Sequence, residues 1–236
     1  MKKSVFIVSS LLAIAGAASI ASAAAQVRAF HGSPDAPPVD ILVNDTAAFT
    51  SLSFGNATAY AALTADTYNI KVNAAGTSTT VINADLPLAD NTTYTVAAIN
   101  TLSNITPLVL VDDNTLNPAA ARLRFVHASP NAPAVDIALA GGAVLFPNVS
   151  FGGVGSYIEV PGGTYDLEVR LAGTNTSVLS LPGIAVSNNT VYTAWAIGVV
   201  GGEPGLSAAI TVDAIPAPGA VALLGMAGLV ATRRKR

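Results

Sequence analysis

Cysteine is absent from the chain. That removes thiol catalysis, a disulfide-stapled scaffold, iron–sulfur clusters and cysteine-ligated zinc from consideration. Charge is scarce: Asp, Glu, Lys and Arg make up 11% of the residues, against about 25% in an average soluble domain. Histidine occurs twice and tryptophan once, and aromatic residues total only 6%, a thin supply for a broad stacking groove. What the chain has instead is apolar bulk, 51% of 236 residues, which argues against disorder and for a packed core. The length suits one large domain or two ordinary ones.

Both ends read as addresses. Met1-Lys2-Lys3, an apolar run over 5–18 and small residues up to Ala25 follow the order of a secretory signal peptide. Ala21-Ser22-Ala23 and Ala23-Ala24-Ala25 both fit the small-x-small cleavage rule, and cleavage is expected after Ala25. At the other end Ile215-Pro216-Ala217-Pro218-Gly219 breaks the chain, 220–231 carries no charge, and Arg233-Arg234-Lys235-Arg236 closes it. Twelve helical residues span about 18 Å, short of the roughly 30 Å hydrocarbon core, which suits transient membrane contact. This order resembles the PEP-CTERM sorting signal of Gram-negative bacteria, with Ala217 in place of the central glutamate. The resemblance implies an exosortase-like processing enzyme as partner, a C-terminal hydrophobic helix held briefly in the inner membrane, and delivery to the cell surface or an exopolysaccharide matrix.

Without its ends the chain is acidic. Six of the 11 cations lie in the terminal segments. The rest, Arg28, Lys71, Arg122, Arg124 and Arg170, face 14 acidic residues, a formal −9. That balance disfavours nucleic acid and anionic lipid as partners.

The interior is a duplication. Residues 27–41 reappear at 123–137 with nine of 15 positions identical, including Arg28/Arg124, His31/His127, Ser33/Ser129, Pro34/Pro130, Pro37/Pro133 and Asp40/Asp136. Phe54-Gly55, Thr67-Tyr68 and Ala75-Gly76-Thr77 recur as Phe151-Gly152, Thr164-Tyr165 and Ala172-Gly173-Thr174. A period near 96 residues is a domain, not a solenoid unit. The expected division is therefore a signal peptide over 1–25, domain 1 over 26–117, domain 2 over 121–214 and a sorting segment over 215–236. The link between the domains is short, so they are expected to touch or to be only modestly mobile. Tyr68, Ile70 and Val72 alternate with polar neighbours, as do Tyr165, Leu167 and Val169, the two-residue period of a sheet with one wet face. Strands are also expected at 38–43, 57–61, 78–83, 93–100 and 106–111, and at their partners in the second copy. The fold class is all-β, two tandem immunoglobulin-like sandwiches. Each repeat resembles a DUF4397 domain, an exported β-sandwich family, through Arg28, His31-Gly32-Ser33-Pro34-Asp35-Ala36-Pro37 and Val39-Asp40 with their second copies. That resemblance implies fold and location and no activity.

The candidate site residues are His31, Ser33 and Asp40 with His127, Ser129 and Asp136. Each histidine enters a Ser-Pro-x-Ala-Pro loop with an aspartate nine residues on. Such a set could be a metal ligand or a Ser-His-Asp relay. The reading preferred here is a loop lock, in which proline stiffens the loop, serine accepts a backbone N–H and histidine ties loop to strand. Asp40 and Asp136 face the wet side or pair with Arg28 and Arg124. Asp112-Asp113-Asn114 reads as a solvated linker, with calcium as the other option, although its spacing is not an EF-hand. Trp195, Tyr192, Tyr157, Tyr165 and Tyr60 could form a sugar platform, but Trp195 and Tyr192, three residues apart, point to opposite faces of one strand, so one of them is core. No nucleophile elbow, His-Glu-x-x-His or phosphate loop occurs. No catalytic residue, metal or cofactor is therefore assigned. The expected function is a non-enzymatic surface or matrix protein built of spacer or adhesive modules; the alternative is a module that binds exopolysaccharide or another surface component.

Overall fold

The computed structural model describes residues 24–216. Most of the signal peptide lies outside the described residues, as do Ala217, Pro218, Gly219, Arg233, Arg234, Lys235 and Arg236 of the sorting segment. Among the described residues no helix is long and apolar enough to cross a membrane.

Domain 1 consists of β1 (Ala25–His31), β2 (Val39–Val43), β3 (Thr46–Leu52), β4 (Ala61–Leu63), β5 (Thr67–Ala74), β6 (Thr80–Pro87), β7 (Thr93–Ile99) and β8 (Thr106–Asp112). Domain 2 repeats them as β9 (Ala121–His127), β10 (Val135–Leu139), β11 (Val144–Val149), β12 (Ile158–Val160), β13 (Gly163–Leu171), β14 (Ser177–Val186), β15 (Val191–Ile197) and β16 (Ser207–Ala214). One short 3-10 turn, Leu102–Asn104, is the only helical element among the described residues. Each domain pairs an inner sheet, β4-β1-β7-β8 or β12-β9-β15-β16, with an outer sheet, β3-β2-β5-β6 or β11-β10-β13-β14. The first strand of each domain runs parallel to the seventh, and the other ladders are antiparallel.

The strand missing from the sequence reading is β3, with its copy β11. Asn44 and Asp45 both take positive φ, 48° and 64°, and close a two-residue hairpin from β2 into β3. Asn-Asp at that place is turn chemistry and could have signalled the strand. Strand β4 is three residues long and starts where the expected 57–61 strand ends; Ala57 makes only an isolated bridge to Phe30.

Alternation along β1 explains how the domains meet. Ala25, Val27 and Ala29 point into the core of domain 1, while Arg28 and Phe30 point out of it. On β7 Tyr94, Val96 and Ala98 point in, and Thr95, Ala97 and Ile99 point out. The outward faces of the two inner sheets pack on one another. Phe30, Ala97, Ile99 and Leu110 of domain 1 form one buried cluster with Val126, Ala128, Trp195 and Ile197 of domain 2. Three apolar layers result, one inside each sandwich and a third between the domains.

Candidate functional site

His31 and His127 end the first strand of their domains and are fully buried. Each imidazole holds the loop that follows it. His31 Nε2 donates to Pro37 O at 3.0 Å and Nδ1 accepts from Ser33 N at 3.3 Å; His127 does the same with Pro133 O at 3.1 Å and Ser129 N at 3.3 Å. That pattern fits the neutral ring with the proton on Nε2. Burial is the larger influence and lowers both histidine pKa values below 6.5, against the upward pull of the proline carbonyl. Phe54 and Phe151 stand edge-on to the rings, with centroids 6.2 and 6.4 Å away. Both ring nitrogens are thus used within the loop.

The serines do not behave as the sequence suggests. Their backbone N–H groups, not their hydroxyls, meet the histidines. Ser129 Oγ donates to Gly198 O at 2.7 Å, while Ser33 Oγ is buried without a partner.

Asp40 and Asp136 stand apart from the histidines and do not meet Arg28 or Arg124. Asp40 accepts from Ser51 N at 2.8 Å and Gly76 N at 2.9 Å; Asp136 accepts from Asn148 N at 2.6 Å and Gly173 N at 2.9 Å. All four donors follow positive-φ geometry, at Ser51, Gly76, Asn148 and Gly173. Each carboxylate therefore fastens the bulge of one neighbouring strand and the turn of the other. The Gly76 and Ser51 amides, in that order, hold the Asp40 carboxyl below its ordinary pKa.

The arginines do something the repeat pattern did not reveal. Arg28 Nε donates to Thr95 Oγ1 at 2.8 Å, and Thr95 donates to Asp112 Oδ2 at 2.6 Å. Asp112 Oδ1 accepts from Arg124 Nη2 across the domain boundary. Arg124 Nε donates to Thr193 Oγ1 at 2.7 Å, Thr193 donates to Asp213 Oδ2, and Asp213 Oδ1 accepts from Arg28 Nη2. The result is a closed ring of two cations, two anions and two hydroxyls, all buried and crossing between the domains twice. Arg28 Nη1 and Arg124 Nη1 donate to Val212 O and Val111 O, both at 3.2 Å, and Arg28 Nη2 also donates to Thr211 Oγ1 at 3.3 Å. Tyr60 covers the Arg28 guanidinium at 4.7 Å, and Tyr157 covers Arg124 at 5.0 Å and Arg122 at 4.9 Å. Burial, followed by the Asp112 charge, pushes the Tyr60 phenol pKa well up.

Asp112 is therefore no part of a solvated linker. Asp113, the next residue, pairs with Arg122 at 2.6 Å, and that hydrogen bond draws its carboxyl well below the usual range. Among the described residues no group of three or more His, Asp or Glu is placed to hold a metal ion. The aromatic set forms no platform: Trp195 lies between the domains, stacked on Phe30 with centroids 3.9 Å apart, Tyr192 is in the domain 2 core, Tyr165 packs against that core and donates to Pro161 O at 2.7 Å, and Tyr60 and Tyr157 cover the arginines.

A family model described as "Domain of unknown function (DUF4397)" matches residues 25–138 and 138–223. The border at 138 falls inside β10, whereas the sheets divide between β8 and β9. No curated protein matches the chain. The chain is similar to several solved structures, two of which follow. The Bacillus anthracis TIE protein has a TM-score of 0.24 and 11% identity, with 75% of this chain and 33% of that one covered. The family CBM26 module of Eubacterium rectale Amy13K, solved with maltoheptaose, has a TM-score of 0.26 and 8% identity, with 80% and 97% covered. This chain thus spans about a third of the first, and at these TM-scores neither likeness carries an argument.

Proposed function

The chain belongs to the DUF4397 family, and from that premise we propose that it is a non-enzymatic protein of the cell surface or extracellular matrix, its two immunoglobulin-like sandwiches acting as one stiff spacer or adhesive unit. The observation that carries this reading is the buried ring of Arg28, Thr95, Asp112, Arg124, Thr193 and Asp213. Opening the domains would break both cross-boundary ion pairs and expose the apolar cluster around Phe30 and Trp195 to water, which favours the pair moving as one body. The non-enzymatic part is supported by the histidines and Asp40 and Asp136, whose polar atoms already serve loops and turns.

Export by the N-terminal signal, processing of the tail by an exosortase-like enzyme and residence in an exopolysaccharide matrix complete the proposal. Ala25 is fully buried in β1 and paired with Leu63, so of the two small-x-small sites the proposal takes cleavage after Ala23, which keeps the strand whole, in place of the site after Ala25 expected from the sequence. The test is the intact mass of the protein in surface wash, medium and membrane fractions. Mass lacking 1–23 and the residues beyond Pro216, found in the wash or medium, is the expected result. A protein confined to membranes with its Arg233-Arg234-Lys235-Arg236 end intact would overturn the matrix reading.

A further inference from the structure

The two sandwiches enclose different interiors. Between the sheets of domain 1 runs an apolar cavity of about 100 Å³, lined among others by Ala29, Ile41, Val72, Ala84, Ala98 and Val109. In domain 2 the corresponding space is interrupted. It consists of an inner cavity of about 30 Å³ beside Phe125 and Leu181 and a separate recess of about 220 Å³ beside Leu139 and Leu145. Two positions account for the interruption. Ala29 on β1 corresponds to Phe125 on β9, and Ala84 on β6 corresponds to Leu181 on β14. In domain 2 the Phe125 ring occupies the middle of the sandwich and packs on Phe146, with centroids 6.1 Å apart. In domain 1 both facing sheets carry only a methyl group there.

Close-packed interiors leave few voids larger than a water molecule. A void with an apolar wall holds no water well, because water needs polar partners, and one of about 150 Å³ accepts benzene. The domain 1 cavity also has a route in. Strands β6 and β8 are the edges of their sheets and make no ladder with each other. Asp85, Pro107 and Val109 line the gap between them, and Val109 and Val111 are 44% and 64% exposed.

We propose that domain 1 carries a binding site for the phenyl group of a small apolar ligand, which enters between β6 and β8 and fills the space that Phe125 fills in domain 2. The occupant is set by the sister domain: the same sheet framework closes around a phenyl ring supplied by its own chain. The proposal stands independently of the surface role.

Benzene, the smallest ligand with that ring, is the probe, titrated into the whole purified protein and followed by the methyl resonances of Ala29, Ile82, Ala84 and Ala98. One saturable site with shifts confined to the domain 1 interior is expected. Ala29→Phe should weaken it by about tenfold or more, since the chain then fills its own cavity. If Ala29→Phe does not fold, Ala84→Leu, which narrows the same space from the opposite sheet, gives the same reading. Absence of saturable shifts in the native protein would overturn the proposal. So would binding that a folded Ala29→Phe or Ala84→Leu variant leaves intact, or shifts centred on Leu139, Leu145 and Tyr165.

Discussion

Domain 1 and domain 2 place the same charged residues in the same roles but fill the space around them differently. Arg28 and Arg124, Asp112 and Asp213, and His31 and His127 are near-superimposable in function. Around them the apolar positions differ in matched pairs. Phe30 corresponds to Val126 and Ala97 to Trp195, and these four residues meet between the domains. One half of the interface thus carries an aromatic stack, Phe30 on Trp195, where the other half has Val126 and Ala97. Bulk lost in one domain is restored by the other, so the duplicated domains have become complementary halves rather than interchangeable copies. The polar network supplies the symmetry, and packing supplies the direction.

The ring is where that symmetry breaks with the largest effect. Removing one partner of a buried ion pair costs about 3–5 kcal/mol, because the remaining charge is stranded. Asp213→Ala should exceed Asp112→Ala. Asp213 serves Arg28 directly and lies 3.9 Å from Arg124 as well, so Arg124 keeps a second carboxylate nearby when Asp112 is lost. Each carboxylate has one further donor, Thr211 to Asp213 at 3.0 Å and Tyr60 to Asp112 at 2.6 Å, so the ordering rests on the second arginine beside Asp213. Equal losses for the two variants, measured by denaturant unfolding, would contradict this ordering.

Packing gives the next contrast. Trp195→Ala should cost about 3–5 kcal/mol, the range for removing a large buried aromatic side chain. Val126→Ala, in the related half of the interface, should cost about 1–2 kcal/mol for the two methyl groups lost. If both variants lost the same stability, the aromatic stack would not be what distinguishes the halves.

How far the sequence foretells these features depends on how local their cause is. The repeat, the all-β class and the alternating strands are written in short-range patterns, and Tyr68-Asn69-Ile70-Lys71-Val72 is enough to show a half-buried strand. The histidine loops are local too, since donor and acceptor lie within six residues. The ring is not local: Arg28 and Asp213 are 185 positions apart, and Asp213 sits near the end of the second repeat with no motif around it. The paired recurrence of Arg28 and Arg124 on apolar strands was the available signal, but it pointed to the aspartates nearest in sequence, Asp40 and Asp136. Those are occupied by the bulges and turns of their own sheets. The place of Trp195 is hidden from the sequence for a related reason. Alternation shows that Trp195 and Tyr192 take opposite faces, but it cannot show that both faces of an inner sheet are buried.

Acidification should affect both domains alike. Burial depresses both histidine pKa values below 6.5, so the unfolded chain takes up protons before the folded one does. Stability is then full above pH 6.5 and falls as the pH drops toward the folded-state values. The slope is at most about 1.4 kcal/mol per pH unit for each histidine. Asp40, Asp113 and Glu168 are also depressed, but they titrate from the carboxylate range and leave this window to the histidines. Urea unfolding between pH 7.5 and 5 checks the slope, and His31→Gln or His127→Gln should each remove about half of it. A flat profile would mean that the rings are protonated in place without cost.

The smallest effect separates two residues that look identical in the sequence. Ser129 Oγ donates to Gly198 O, and removing it leaves that buried carbonyl unpaired, so Ser129→Ala should cost about 1–3 kcal/mol. Ser33 Oγ is buried with no partner, and a hydroxyl in that condition gains nothing over a methyl group. Ser33→Ala should therefore lie within about 0.5 kcal/mol of neutral, on either side. Parallel unfolding curves of the two variants decide the matter. A loss at Ser33 equal to that at Ser129 would mean that its hydroxyl has a partner in solution, and the two loops would then be held in the same way after all.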